Sequence, residues 1–236
     1  MNNNSKLYLI PSNIGETDLG NLFPQFNFEI INSIDYYIVE EERTARRFLR
    51  KMGIKKRIDE LTFFELNEHS KNINLNPYLQ PCLDGNNVGL LSEAGTPCVA
   101  DPGNLIVTKA HQFGIEVVPL IGPNSILLAL MASGFNGQNF AFNGYLPVER
   151  PQRESQINFF ENLMIKTAQT QIFIETPYRN NHLLDSFLKV CNPETRLCIA
   201  CNLTTDNQKV ISQSISKWKK GTYDFHKMPA IFLIGR

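Results

Sequence analysis

The stretch that most limits what this chain can fold into is residues 89–103, GLLSEAGTPCVADPG. An apolar run over 88–91 stops abruptly at Ser92, Glu93, Ala94, Gly95, Thr96 and Pro97. That pattern predicts a buried strand followed by a loop of small residues. Asp101 suits a helix N-cap and Pro102 a first helical position, so a helix is expected over 104–112, ended by Gly114. Strand, small-residue loop and capped helix is how α/β proteins present backbone N–H groups to a ligand at the C-terminal edge of a sheet. A plain βα connection has the same pattern. A second such loop just downstream, VPLIGPNS over 118–125, favours the ligand.

Composition removes several classes. Lys plus Arg and Asp plus Glu are 23 each, so the chain is not a wholly basic nucleic-acid binder, although a local basic patch is allowed. No apolar run reaches the roughly 18 residues of a membrane span, and MNNNSKLYLIP is too short in apolar residues for a signal peptide. The five cysteines lack zinc-type spacing. Cys198 and Cys201 have the C-x-x-C spacing but lie in an apparent strand, so reduced, buried, cytoplasmic thiols are expected and no metal. No G-x-G-x-x-G occurs, which argues against a dinucleotide site.

In chain order, strands are expected at 6–10, 36–39, 61–65, 88–91 and 115–120. A helix opened by Glu40, Glu41 and Glu42 should run to Lys51, acids first and bases last. Within it Arg43, Arg46, Arg47 and Arg50 fall at i, i+3, i+4 and i+7 and share one face. Lys55, Lys56 and Arg57 follow, with no acid between 43 and 57. A solvated helix face has this pattern too; the density on one face favours a phosphate-binding surface. His69 sits in the polar segment NEHSKNINLN and reads as solvated. Pro119 to Pro123 looks like an interdomain link, and an apolar helix from about Asn124 to Gly134 should be buried. Beyond it, strands are expected at 140–144, 171–175, 196–201 and 230–234. Residues 148–154 should be a polar loop, followed by helices over 155–167 and 182–190. Residues 210–218 read as strand into helix. The fold class is α/β, with two domains at 1–117 and 118–236.

Taken together, SEAGTPCVADPG, GIEVVPLIGPNSILLALMASG and FNGYLP resemble the tetrapyrrole methylase superfamily, and within it the small-subunit ribosomal RNA 2′-O-methyltransferases. LYLIPSNIGE, EEERTARRFLRKMGI and IETPYR extend the resemblance over nearly the whole chain. It implies S-adenosylmethionine bound in a cleft between two α/β domains, a ribosomal RNA acceptor, a cytoplasmic homodimer and no membrane. Gly95, Gly122 and Gly144 would let the cofactor approach the backbone. Ser92, Thr96 and Ser125 would hydrogen-bond it, and Pro119, Leu120 and Ile121 would offer the adenine an apolar surface. Pro11, Glu93, Ala94, Pro97, Asp101, Tyr145, Pro177 and Leu203 complete the expected contacts. Arg43, Arg46, Arg47 and Arg50 would meet the RNA.

Methyl transfer from a sulfonium needs alignment and exclusion of water, and a ribose hydroxyl gains from a general base. Glu93, Asp101 and Lys or Arg residues near the cleft are candidates for that role, without a decision between them. Two departures stand out. Glu93 replaces the aspartate of SDAGTP, and CNLTT over 201–205 stands where the RNA enzymes read close to RELTK. The alternatives are a methyltransferase on a tetrapyrrole or other small acceptor, and a non-catalytic RNA-binding relative.

Overall fold

The computed structural model describes residues 5–66 and 74–236. His69 lies outside the described residues. The chain divides into two compact units, Met1–Asn124 and Ser125–Arg236.

The first unit holds β1 (Lys6–Ile10), α1 (Gln25–Ser33), β2 (Tyr36–Val39), α2 (Glu42–Lys51), β3 (Thr62–Glu65), α3 (Asn76–Leu83), β4 (Val88–Leu91), α4 (Asn104–Gln112) and β5 (Glu116–Pro119). Its sheet runs β3-β2-β4-β1-β5, and every neighbouring pair is parallel. A strand buried on both faces reads as a continuous apolar run. β4 is that strand, with all four residues buried. One face packs Tyr8 and Ile10 against Ile31 of α1 and Phe48 and Leu49 of α2. The other packs Leu7 and Leu90 against Leu79 of α3 and Ile106 of α4. The sheet is therefore doubly wound.

The second unit holds α5 (Ser125–Ser133), β6 (Phe140–Tyr145), α6 (Arg150–Thr167), β7 (Thr170–Glu175), α7 (Asn180–Val190), β8 (Arg196–Cys201), β9 (Lys209–Ser214), α8 (Ile215–Trp218) and β10 (Ala230–Gly235). Its sheet runs β6-β7-β10-β8-β9. Only β6 and β7 pair in parallel; β10 is antiparallel to both β7 and β8, and β8 to β9. The core centres on aromatic rings. Phe173 touches Phe187 and Phe187 stacks on Phe232, while Trp218 sits edge-on to Tyr223 and donates its indole N–H to the Leu197 carbonyl.

Three expectations need correction, and one element is added. The first unit ends at Asn124 rather than at residue 117, because Val118 and Pro119 complete β5 beside β1. The stretch 148–154 is not all loop: α6 starts at Arg150, with a proline in its first turn where the missing N–H does no harm. α5 buries Ile126, Ala129 and Leu130, but Met131 is 78% exposed, so it is not buried all round. Helix α1 is an addition that the sequence pattern did not announce.

Candidate functional site

Because all the strands of the first sheet are parallel, the loops after β1, β2, β4 and β5 meet at one edge. Ser12, after β1, exchanges both backbone hydrogen bonds with Gly95, after β4, at 2.9 and 3.2 Å. The Ser92 hydroxyl donates to the same Gly95 carbonyl at 2.7 Å. The Asn124 amide donates to the Thr96 hydroxyl at 2.6 Å, joining the loops after β4 and β5. Gly95 has φ +77°, and a Cβ there would stand 3.2 Å from the Pro123 carbonyl oxygen. Ala94 is exposed on this loop and Pro97 buried beneath it.

Cys98 and Ala100 also adopt left-handed backbone, at φ 68° and 65°. That costs about 1–2 kcal/mol per non-glycine residue, so something must hold the loop. Asp101 does: its carboxylate accepts from the Cys98 N–H at 2.9 Å and the Gly103 N–H at 2.8 Å. Asp101 is therefore not the N-cap of α4. Gly103 occupies that position with no side-chain bond, and Asp101 instead clamps the loop ahead of the helix. Burial pushes the Asp101 carboxyl above its usual range, and the two N–H bonds work against the shift.

Gly122 and Leu120 also have other duties. A Cβ on Gly122 would fall 2.2 Å from Cγ of buried Pro11, so this glycine lets two loops pack. Leu120 is 8% exposed and belongs to the core, leaving Pro119 and Ile121 as the accessible apolar surface.

Two further carboxylates line the same edge. Glu93 accepts from the Thr44 hydroxyl at 2.6 Å. Glu40, at the end of β2, accepts from the Glu93 N–H at 3.3 Å. Burial first, then repulsion from Asp101 and Glu93, hold the Glu40 carboxyl above its usual range, while that N–H lowers it. A carboxyl so placed is a better proton acceptor than an exposed one.

The four arginines of α2 line one shallow groove, but they are not equivalent. Arg46 is committed: it pairs with Glu42 at 2.7 Å and Asp59 at 3.1 Å, with its guanidinium 5.1 Å from the Phe63 ring centre. Lys51 pairs with Glu16, and Lys56 with Asp35. Among the described residues Arg43, Arg47 and Arg50 have no ion pair. The acids missing from residues 43–57 of the sequence are thus supplied in part by Asp59, Glu16 and Asp35 from elsewhere in the fold.

In the second unit β6, β7 and β8 all finish at one edge of their sheet, which brings Tyr145, Pro177 and Leu203 to that edge. Gly144 has φ +68° with nothing within 4 Å of a Cβ, and Tyr145 is 55% exposed. Leu203 is buried, flanked by Asn202 and Thr204 in left-handed conformations, and the Thr204 hydroxyl has no hydrogen-bond partner. Arg179 of IETPYR is spent on buried Glu175, 2.9 Å from its Nε. Ser125 opens α5.

The tetrapyrrole (corrin/porphyrin) methylase pattern matches residues 27–218. The chain belongs to that family. Its relatives include the ribosomal RNA small subunit methyltransferase I of Vibrio cholerae, 33% identical over 84% of this chain and 65% of that protein. Those of Escherichia coli O157:H7 and Haemophilus influenzae are each 30% identical over 86% of this chain and 67% and 70% of theirs. The chain thus spans about two thirds of the length of the curated relatives it matches. In fold the chain is similar to the crystal structure of the methyltransferase CobJ, with a TM-score of 0.63 at 16% identity, covering 98% of this chain and 94% of that one.

Three residues at the edge of the first sheet do not stand out in the sequence. Ser12 lies in a loop whose sequence fits a plain turn and a cleft loop equally, Glu40 opens the α2 segment, and Thr44 lies within it. The available signal was position: Ser12 and Glu40 stand just beyond the C-terminal ends of parallel strands, and Thr44 lies in the first turn of the helix that follows β2. Among the described residues no group of three or more His, Cys, Asp or Glu could hold a metal ion, and no helix is long and apolar enough to cross a membrane.

Proposed function

We propose that this chain is an S-adenosylmethionine-dependent methyltransferase that methylates a ribose 2′-hydroxyl of small-subunit ribosomal RNA, acting in the cytoplasm as a homodimer. The observation that carries the reading is the edge of the first sheet. There the strained, clamped loop after β4 is tied to the loops after β1 and β5, beside a groove carrying three arginines without ion pairs. The names of the relatives support the RNA acceptor.

The residues fit a methyl donor with polar and apolar parts. Left-handed Gly95 lets the loop after β4 turn tightly, Ser92, Thr96 and Ser125 offer hydroxyls, and Ile121 is 74% exposed for an adenine face. Ala94, Pro97, Pro119 and Pro11 shape these loops. Gly144, Tyr145, Pro177 and Leu203 stand at one edge of the second sheet. When bound, the sulfonium supplies an activated methyl group, so the protein mainly aligns the acceptor and excludes water. Glu40 is the best-placed proton acceptor, because burial raises its basicity and Asp101 is occupied by two backbone N–H groups. Arg43, Arg47 and Arg50 hold phosphates, whereas Arg46 braces the helix that presents them.

Calorimetric titration with S-adenosylmethionine, and mass spectrometry of small-subunit RNA from a strain lacking the gene, test the reading. Expected are saturable binding and loss of one ribose methyl group that the gene restores. No binding, or an unchanged methylation map, would refute it.

A further inference from the structure

Between the loop after β1, the start of α2 and the loop after β4 lies a cleft of about 230 Å³, walled in part by Ser12, Asn13, Thr44, Arg47, Lys51 and Glu93. That is smaller than the roughly 300–1,000 Å³ of a whole small-molecule site, so it suits one part of a larger ligand.

Ser12 is the unexplained wall residue. It is 3% exposed, and its hydroxyl has no hydrogen-bond partner. Its backbone N–H and carbonyl are already taken by Gly95. A buried hydroxyl without a partner is costly, which marks a place where a ligand would repay the debt. The charges of the cleft point to the ligand's chemistry. Glu93 holds the Thr44 hydroxyl and Glu16 holds Lys51, while Arg47 is exposed with no ion pair among the described residues. One open cation and one orphan hydroxyl, with a carboxylate nearby, suit a singly charged anion that also carries hydroxyl groups. Arg47 lines both this cleft and the groove along α2, so a strand lying in the groove reaches the cleft without a break.

We propose that the cleft seats one ribose–phosphate unit of the RNA strand, its phosphate on the Arg47 guanidinium and a sugar hydroxyl on Ser12 Oγ. This deepens the reading of the chain as an RNA methyltransferase and rests on it.

The test is fluorescence anisotropy of the full chain with a labelled single-stranded ribo-oligonucleotide of mixed sequence and its 2′-deoxy counterpart, over a salt series. The parent should prefer the ribo-oligonucleotide. Ser12→Ala should cut that preference about threefold to tenfold, the range of one hydrogen bond, without changing the salt slope. Arg47→Gln should weaken both probes and reduce the salt slope by about one. Melting temperatures should stay at the parental value, since neither side chain has a partner to lose; if Ser12→Ala melts early, Ser12→Cys replaces it. A parental ribose preference in the Ser12 variants, or a parental slope in Arg47→Gln, overturns the proposal. Binding needs no methyl donor, so the two readings fail separately. A parent that methylates RNA while both variants bind normally loses the subsite. A parent that methylates no RNA but shows the Ser12-dependent preference keeps the subsite and loses the function.

Discussion

The two units solve the same packing problem differently. The first splits its core into two clusters on opposite faces of an all-parallel sheet, so its connecting loops converge on one edge. The second gathers its large side chains in one aromatic cluster beside a mixed sheet. In the first unit, strain, buried carboxyls and an orphan hydroxyl crowd the loops. The second also carries strain and an unpartnered hydroxyl, at Asn202 and Thr204, beside a core built on aromatic rings. Parallel winding concentrates chemistry at an edge, and antiparallel pairing supplies a stiff body.

The largest expected effect breaks the second body. Trp218 is fully buried and hydrogen-bonded to Leu197. Trp218→Ala should cost about 3–5 kcal/mol, read by urea denaturation. A loss below about 1 kcal/mol would mean that the aromatic cluster is not what holds this unit.

Next comes a contrast between two glycines. Gly122→Ala must move the Pro11 ring and should cost about 1–3 kcal/mol, as overpacking does. Gly144→Ala meets open space and should cost only the left-handed penalty of about 1–2 kcal/mol. Calorimetric binding of S-adenosylmethionine sharpens the pair with Gly95→Val, which should lose affinity because the branched side chain stands beside Pro123. Parental affinity in Gly95→Val would remove that loop from the cofactor site.

A smaller effect depends on pH. The folded chain raises the Glu40 pKa, so its charged form costs stability above that pKa, and the cost disappears as pH falls below the unfolded value of about 4.3. Glu40→Gln keeps an acceptor for the Glu93 N–H. It should melt higher than the parent at pH 8 and equal to it near pH 4. An unchanged gap across that range would show that the carboxyl is not strained.

The smallest effect is on thiol reactivity. Burial pushes Cys82 and Cys198 up to about 11 and Cys201 to about 12, and raises Cys191 as well. Cys98, also pushed up to about 11, is only half-buried. Alkylation of the native chain at pH 8 should therefore be slow and confined to Cys98. Rapid labelling of a second cysteine would mean that one of the bodies opens.

Much of the fold was legible where a run of β-forming residues met a clear stop. β1, β4 and β8 have the bounds that their sequences predict. Helix α1, QFNFEIINS, escaped because Pro24 ahead of it makes no capping bond and its apolar residues are broken by asparagines. Strand direction in the second sheet was invisible, since pairing such as Ala230 with Cys201 depends on partners far apart in the chain. The loops of the candidate site stood out by their small residues. Their division of labour did not: that Asp101 clamps a loop, Arg46 braces a helix and Gly122 accommodates Pro11 depends on neighbours from other elements.

The reciprocal bonds between Ser12 and Gly95 carry one more consequence, for timing. Neither amide can meet solvent until the same local opening frees both, so their protons should exchange with deuterium at a common rate. A ligand resting on either loop would slow both clocks together. The first edge of this chain therefore behaves as one latch with two handles, and whatever closes it from one side is felt at once on the other.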